Sequence, residues 1–440
     1  MELWPFLFVY TVYSYCLDDT ISKGESIYRC SQLLRRQFIY KGFVNYFPIV
    51  THRTVPLPPS VETKKACNVC FPQWVRCLPE RVRNSLKLLG LITKKKRMVD
   101  TERRIGPRYM FICHPHGVIS FGITGAMCWE GESEVSDTKI VNGNLIENEV
   151  DEVFSEYDSS TDSHFEMLEQ FKESDILKRS VSKLKSSRSF KSLFPGINAH
   201  LLTLSAQLIL PFYRDYIMSL GVGLVTKKSI LSILKHWHSV TIVVGGAHES
   251  LLARPGMNRL VLNRRKGFVK IALESCNKSE NDLKISKEEL EANISEGKWN
   301  DSMSDIALVP IYVYGENNIY NVYNTTEQSQ KEHKQHSHIF NALLQFQLYL
   351  KSYTGFTLPL VNSRSIFNYD FGLLPYRRRM DVVVGEPIYI YRKFGASVGD
   401  EVKDEEIEFF HELYKSKLME LWKRNKAFAT EWDEDLTIVE

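Results

Sequence analysis

Arg108 to Trp129 reads RYMFICHPHGVISFGITGAMCW, and its order decides the fold class. RYMFIC, residues 108–113, is an apolar run of strand length. His114-Pro115-His116-Gly117 breaks it, and an apolar run of helical length follows over residues 118–129. Strand, turn and helix in succession form the unit from which α/β sheets are built. Working outward, further strands are expected at 240–244, 307–313 and 380–384. Helical patterns fall at 201–210, 228–235, 266–273, 339–350 and 404–424. This alternation predicts an α/β fold with a mostly parallel sheet flanked by helices.

The bulk composition agrees with a folded enzyme-sized chain. Its 440 residues carry 56 Lys and Arg against 53 Asp and Glu, with 43% hydrophobic and 25% charged residues. That excludes wholesale disorder. A net charge of +3 also excludes a protein whose main partner is the nucleic-acid backbone, which demands a basic surplus. Eight cysteines scattered over such a length read as reduced thiols facing a cytosol-like compartment.

Residues 3–17 (LWPFLFVYTVYSYCL) are uncharged and aromatic, but short of the roughly 20 apolar residues a spanning helix needs. A buried core helix, an interfacial helix and the remainder of a longer anchor all fit. Residues 27–46 set Arg29, Arg35, Arg36 and Lys41 among apolar residues, the pattern of a basic helix on a membrane surface or of a solvated face over a core. Pro48 should end that helix. Two polar stretches interrupt the rest. Residues 131–192 turn from acidic to rich in Ser, Lys and Arg, which predicts a loosely ordered, dispensable insert with modification sites at Ser186, Ser187 and Ser189. Residues 277–305 form a second insert, expected at a loop tip.

The two histidines around Pro115 stand where a strand ends and a helix begins, the edge at which α/β sheets hold ligands. An imidazole there suits a general base near neutral pH, and the helix N-terminus beside it favours negative charge. A pair of packed or metal-binding histidines is the plainer alternative. Gly245-Gly246-Ala247-His248-Glu249-Ser250 follows another apolar strand. Glu249 there is either an acid that orients an imidazole or a carboxylate placed for a helix dipole. Arg264-Arg265-Lys266 and Lys270 open a helix with cations suited to phosphates, or to solvent. Cys67, Cys70 and Cys77 lack a second ligand pair, and the tract His333, His336, His338 reads as solvated loop, so no metal is expected.

Several segments occur in one order: Tyr46-Phe47-Pro48, the HPHG turn, Phe194-Pro195-Gly196, FYRDY at 212–216, GGAHES at 245–250, RKGFVK at 265–270, Val309-Pro310 with Gly315-Glu316, 367–375 and 382–388. Together they resemble the type 2 diacylglycerol O-acyltransferases, fungal members above all, from Tyr46 to the end. The resemblance implies a glycerolipid-acyltransferase-like core over 46–440 behind a membrane-associating segment, 1–45. It implies transfer of a fatty acyl group from acyl-CoA to diacylglycerol, giving triacylglycerol, at the endoplasmic reticulum membrane with the catalytic side toward the cytosol, and at lipid droplets. Acyl-CoA is then a substrate, no cofactor is required, and a second copy of the chain is admitted as a partner. His116 becomes the general base, Glu249 its acid, and His114 a support. Tyr46, Phe47, Pro48, Gly117, Arg214, Gly245, Gly246, Arg265, Lys266 and Lys270 become substrate-binding positions. Other acceptors (monoacylglycerol, a long-chain alcohol, a sterol) or a non-catalytic lipid scaffold are the alternatives.

Overall fold

The computed structural model describes residues 4–36, 38–70, 78, 80–88, 95–131, 134–141, 144–147, 181–250, 252–323, 360–365 and 372–439. Eleven strands form one sheet. In chain order they are β1 (Ile49–Arg53), β2 (Arg108–His114), β3 (Ser136–Val141), β4 (Asn144–Glu147), β5 (Val181–Ser187), β6 (Ala199–Thr203), β7 (Gly223–Leu224), β8 (Ser239–Val243), β9 (Ile306–Tyr314), β10 (Met380–Val384) and β11 (Ile388–Tyr389). Across the sheet the order is β4-β3-β5-β1-β10-β9-β2-β8-β6-β7, with β11 pairing the start of β9. The run β9-β2-β8-β6-β7 is parallel throughout. Beyond it β10 turns antiparallel to β9, β1 lies parallel to β10, and β5, β3 and β4 continue antiparallel.

The principal helices are α1 (Trp4–Val12), α2 (Phe38–Tyr46), α3 (Phe121–Cys128), α4 (Tyr213–Ser219), α5 (Lys227–Lys235), α6 (Ala247–Ser250), α7 (Gly267–Ser275), α8 (Lys287–Glu296) and α9 (Asp404–Arg424). Every residue of β2 and β9 is buried, because helices cover both faces. Side chains alternate accordingly. Met110 and Ile112 pack with Ile233, Val269 and Phe410 of α5, α7 and α9. Tyr109, Phe111 and Cys113 pack with Ile123 of α3 and Val44 of α2 on the other face.

Four expectations change. Residues 27–46 are not one helix: short turns at Glu25–Arg29 and Gln32–Arg35 precede α2. Ser31 accepts the Leu34 amide and starts a new turn; Arg29 and Arg35 look inward, while Arg36 is exposed. Arg35 is buried, donates to the Cys128 and Met127 carbonyls at the end of α3, and pairs with Glu130 at 2.6 Å. Residues 201–210, expected helical, are instead β6 followed by the turn Ser205–Leu208, since β6 finds a parallel partner in β8.

The first insert is structural wherever it is described. Its β3, β4 and β5 extend the main sheet, and His52 of β1 reaches into them. His52 Nδ1 lies 2.7 Å from Ser186 Oγ, which lies 2.7 Å from Thr138 Oγ1, while His52 Nε2 meets Asp381 at 2.8 Å. Ser186, Ser187 and Ser189 are buried, which removes them as accessible modification sites. Residues 277–305 also fold: α8 is capped by Ser286, and Asp305 pairs with the buried Arg108. Residues 339–350, 366–371 and the histidines at 333, 336 and 338 lie outside the described residues, as does Cys77. Among the described residues no helix is long and apolar enough to cross a membrane.

Candidate active site

Three adjacent parallel strands end side by side. Register pairs Val243 of β8 with Cys113 of β2, and His114 of β2 with Tyr312 of β9. The HPHG turn at the end of β2 is therefore flanked by Gly245 to Glu249 after β8 and by Gly315-Glu316 after β9. Each flank delivers a buried carboxylate.

Glu249 Oε1 accepts the backbone N–H of His116 at 2.5 Å, and its Oε2 accepts that of Val261 at 2.9 Å. Burial pushes its carboxyl up to about 7, against the two amide hydrogen bonds and the Arg265 charge, which pull it down. Gly245 makes room for it. At φ +125° this residue occupies backbone space that other residues avoid, and a Cβ there would lie 2.5 Å from the Glu249 carboxyl carbon. Glu249 was expected to hold the His116 ring. It holds the backbone under the ring instead.

Glu316 does the same from the other side. Its two oxygens accept the amides of Phe121 and Gly122, both at 2.8 Å, and so cap α3. Its carboxyl is also raised by burial to about 7. A Cβ on Gly117, which has φ +58°, would lie 2.7 Å from Glu316 Cγ. The first amides of α3, expected to polarise a reacting carbonyl, are thus already occupied. Sequence reasoning quoted Gly315-Glu316 but assigned it no task, since one acid after a strand carries no signal of the amides it caps.

His116 is partly exposed, and its Nδ1 lies 3.1 Å from the Gly117 carbonyl. Nδ1–H is the donor, which leaves the Nε2 lone pair as the basic atom. Burial lowers its pKa, the Gly117 carbonyl raises it, and Arg265 lowers it, so the ring is neutral near pH 7. Ser120, missed from sequence, donates Oγ to the His116 carbonyl at 2.5 Å. His114 is fully buried, with Nε2 3.1 Å from the Tyr414 hydroxyl of α9, and burial lowers it to about 3. No reactant reaches it, so its place is beneath the turn.

The remaining positions divide. Arg265 donates to the Gly245 carbonyl at 3.1 Å, Gly246 lies against its guanidinium, and its charge is felt by both His116 and Glu249. Lys266 pairs with Glu408 of α9, and Lys270 stands exposed on α7. Phe47 stacks on Phe121, ring centroids 5.2 Å apart, and Tyr46 donates to the Pro375 carbonyl at 2.8 Å. Tyr46-Phe47-Pro48 therefore backs the start of α3. Arg214 lies elsewhere: it is buried against Asp18, at 2.6 Å, and the Ser14 carbonyl, where it ties α4 to the N-terminal segment. Its expected contact with substrate gives way to that ion pair.

The arrangement offers an accessible neutral imidazole whose Nε2 has no hydrogen-bond partner among the described residues, locked by its backbone between two buried acids and next to a cation. A family model described as diacylglycerol acyltransferase matches residues 180–279 and 302–439, more than half of the chain. Diacylglycerol O-acyltransferase 1 of Saccharomyces cerevisiae is 30% identical over 438 residues, 99% of this chain and 79% of that relative. Diacylglycerol O-acyltransferase 2 of Dictyostelium discoideum is 36% identical over 53% of this chain and 57% of its own length. The 2-acylglycerol O-acyltransferase 1 of Bos taurus is 33% identical over 54% of this chain and 58% of its own. No solved structure matches.

Proposed function

Because the chain belongs to the diacylglycerol acyltransferase family, we propose that its reaction runs on the imidazole of His116. The protein transfers a fatty acyl group from acyl-CoA to the free hydroxyl of diacylglycerol and forms triacylglycerol. The acceptor hydroxyl gives its proton to His116 Nε2 as its oxygen bonds to the thioester carbonyl carbon. The tetrahedral adduct then breaks its C–S bond, and the leaving CoA sulfur takes the proton back from the imidazolium. A thioester is already activated, so no covalent enzyme intermediate is needed.

Glu249 and Glu316 are positioning residues here, since each grips backbone amides rather than reacting atoms. With the α3 amides capped, Arg265, whose charge is felt at His116, has the right sign for the developing oxyanion. Lys266 and Lys270 on α7 suit the phosphates of CoA. The single observation that carries this reading is the His116 ring, fixed through Nδ1 with Nε2 left free.

Diacylglycerol is favoured as acceptor because three relatives named for it match 97–100% of the chain, whereas those named for 2-acylglycerol match 54%. The membrane reading places the protein at the endoplasmic reticulum with its catalytic side toward the cytosol, and on lipid droplets. The reduced thiols of Cys16, Cys30, Cys113 and Cys276 suit that compartment. Incubating the purified protein with labelled acyl-CoA and a panel of diacylglycerol, monoacylglycerol, long-chain alcohol and sterol tests it. Label in triacylglycerol is expected; label only in wax or sterol esters overturns the acceptor, and none at all returns the protein to a scaffold.

A further inference from the structure

Two stretches rich in exposed apolar residues lie side by side. Helix α1 contains no charged residue and exposes Trp4, Phe6 and Phe8 at 74%, 75% and 70%. The stretch entering α4 exposes Ile209, Leu210 and Phe212 at 57%, 56% and 62%. Contacts between the two make them a single surface. The Tyr10 ring stacks on Phe212 with centroids 4.6 Å apart, and the Phe212 amide donates to the Tyr10 hydroxyl at 2.7 Å. Tyr10 in turn donates to Asp215, and Tyr15 donates to the Ile209 carbonyl. Phe212 accepts φ +61° to keep its place, a costly backbone state for a residue with a Cβ.

Beneath the rings the charges cancel. Asp18 pairs with Arg29 at 2.8 Å and Arg214 at 2.6 Å, and Arg29 also lies 3.6 Å from Asp215. Two cations thus face two anions, so among the described residues this cluster carries no net charge to seek an anionic headgroup. From the outside inward the surface runs from carbon, through tyrosine hydroxyls, to paired charges. That is the order in which the polarity of a lipid surface rises from acyl chains to headgroups.

We propose that α1 and residues 209–212 form one docking platform that inserts into a zwitterionic lipid surface, with the Asp18–Arg214 pair as its rigid base. The platform rests on the functional reading above only in that the acceptor is a membrane lipid. It adds a second element that charge and hydropathy along the N-terminus do not announce.

The test uses the full chain and phosphatidylcholine vesicles, with bound protein recovered by sedimentation. Ile209→Ser combined with Leu210→Ser, both in exposed positions, is expected to lower the partition coefficient at least about tenfold. Raising salt from about 0.1 to about 1 M is expected to leave wild-type binding within about twofold. The variant should keep its near-ultraviolet circular dichroism and its turnover of diacylglycerol presented in detergent micelles. Unchanged partition by the folded variant overturns the platform. So does binding that needs anionic lipid and fades with salt, or a variant that loses only self-association, which would make this face a contact between copies. Inactivity of the wild type on micellar diacylglycerol, with partition as expected, overturns the functional reading and leaves the platform standing.

Discussion

Glu249→Gln separates a carboxylate that grips a backbone from one that grips a ring. Both oxygens of Glu249 accept amide hydrogens, from His116 and from Val261. Glutamine has one acceptor oxygen, so one of the two amides must face its NH₂ group. Loss of one hydrogen bond to this buried acceptor costs about 1.5–3 kcal/mol above pH 7, where the carboxyl is charged, and less below. If all of that is felt in the position of the HPHG turn, turnover falls about 10- to 150-fold, at 1.36 kcal/mol per decade. Ring pairing makes a different forecast. A carboxylate bonded to an imidazole raises its pKa, so its removal would move the acidic limb of the pH profile down by about 1–3 units. The structure sets the His116 pKa by burial, the Gly117 carbonyl and Arg265, with Glu249 absent from that set. The assay is kcat/KM for diacylglycerol from pH 5 to 8, taken together with denaturant unfolding, with pH limits of about that range. Lower turnover, lower stability and an acidic limb within about half a unit of wild type are expected. A limb displaced by more than about one unit, at unchanged stability, refutes the backbone-grip argument.

Other outcomes follow from the same geometry. His116→Ala is expected to lower turnover about 10²- to 10⁴-fold while acyl-CoA still binds, as measured by equilibrium dialysis. His114→Gln, beneath the turn, should retain more turnover than His116→Gln, and the reverse order would move the base to the first histidine. Glu316 has a folded-state pKa raised to about 7, so its contribution to stability is full below its ordinary value of 4.5 and is lost as pH rises through about 7. The stability gap between wild type and Glu316→Gln should therefore shrink from pH 4.5 to 7 by at most about 1.4 kcal/mol per unit, and a gap that widens contradicts it. Excising 132–189 should destroy folding, as seen by circular dichroism, whereas a short Gly/Ser linker in place of 148–180 should keep turnover within a few-fold.

The parallel strands were legible because burial on both faces leaves them as unbroken apolar runs, and β10 and α9 have the expected bounds. Residues 201–210 misled for the same reason: a short apolar run reads equally as helix or strand until its neighbour is known. HPHG and GGAHE stood out as motifs, yet the donors that Glu249 finds are main-chain amides, and amides leave no trace in composition. Arg29 and Arg35 looked like surface cations, and Arg214 like a substrate-binding one, because sequence does not show that Asp18 and Glu130 pair with them. The polarity of residues 131–192 suggested a loose insert, although Thr138 and Ser186 are polar in order to reach His52.

The three outer strands of the sheet have a consequence for engineering. β3 pairs Val141 with Val181 of β5 on one side and Thr138 with Glu147 of β4 on the other. The chain therefore leaves at Glu147 and returns at Val181 two strand spacings and three residues away, a gap of about 14 Å. Closing a loop across a fixed gap grows costlier only with the logarithm of its length, so the stem tolerates cargo of almost any size. Foreign domains whose own termini lie about that far apart could be seated between residues 147 and 181 without asking the sheet to change register.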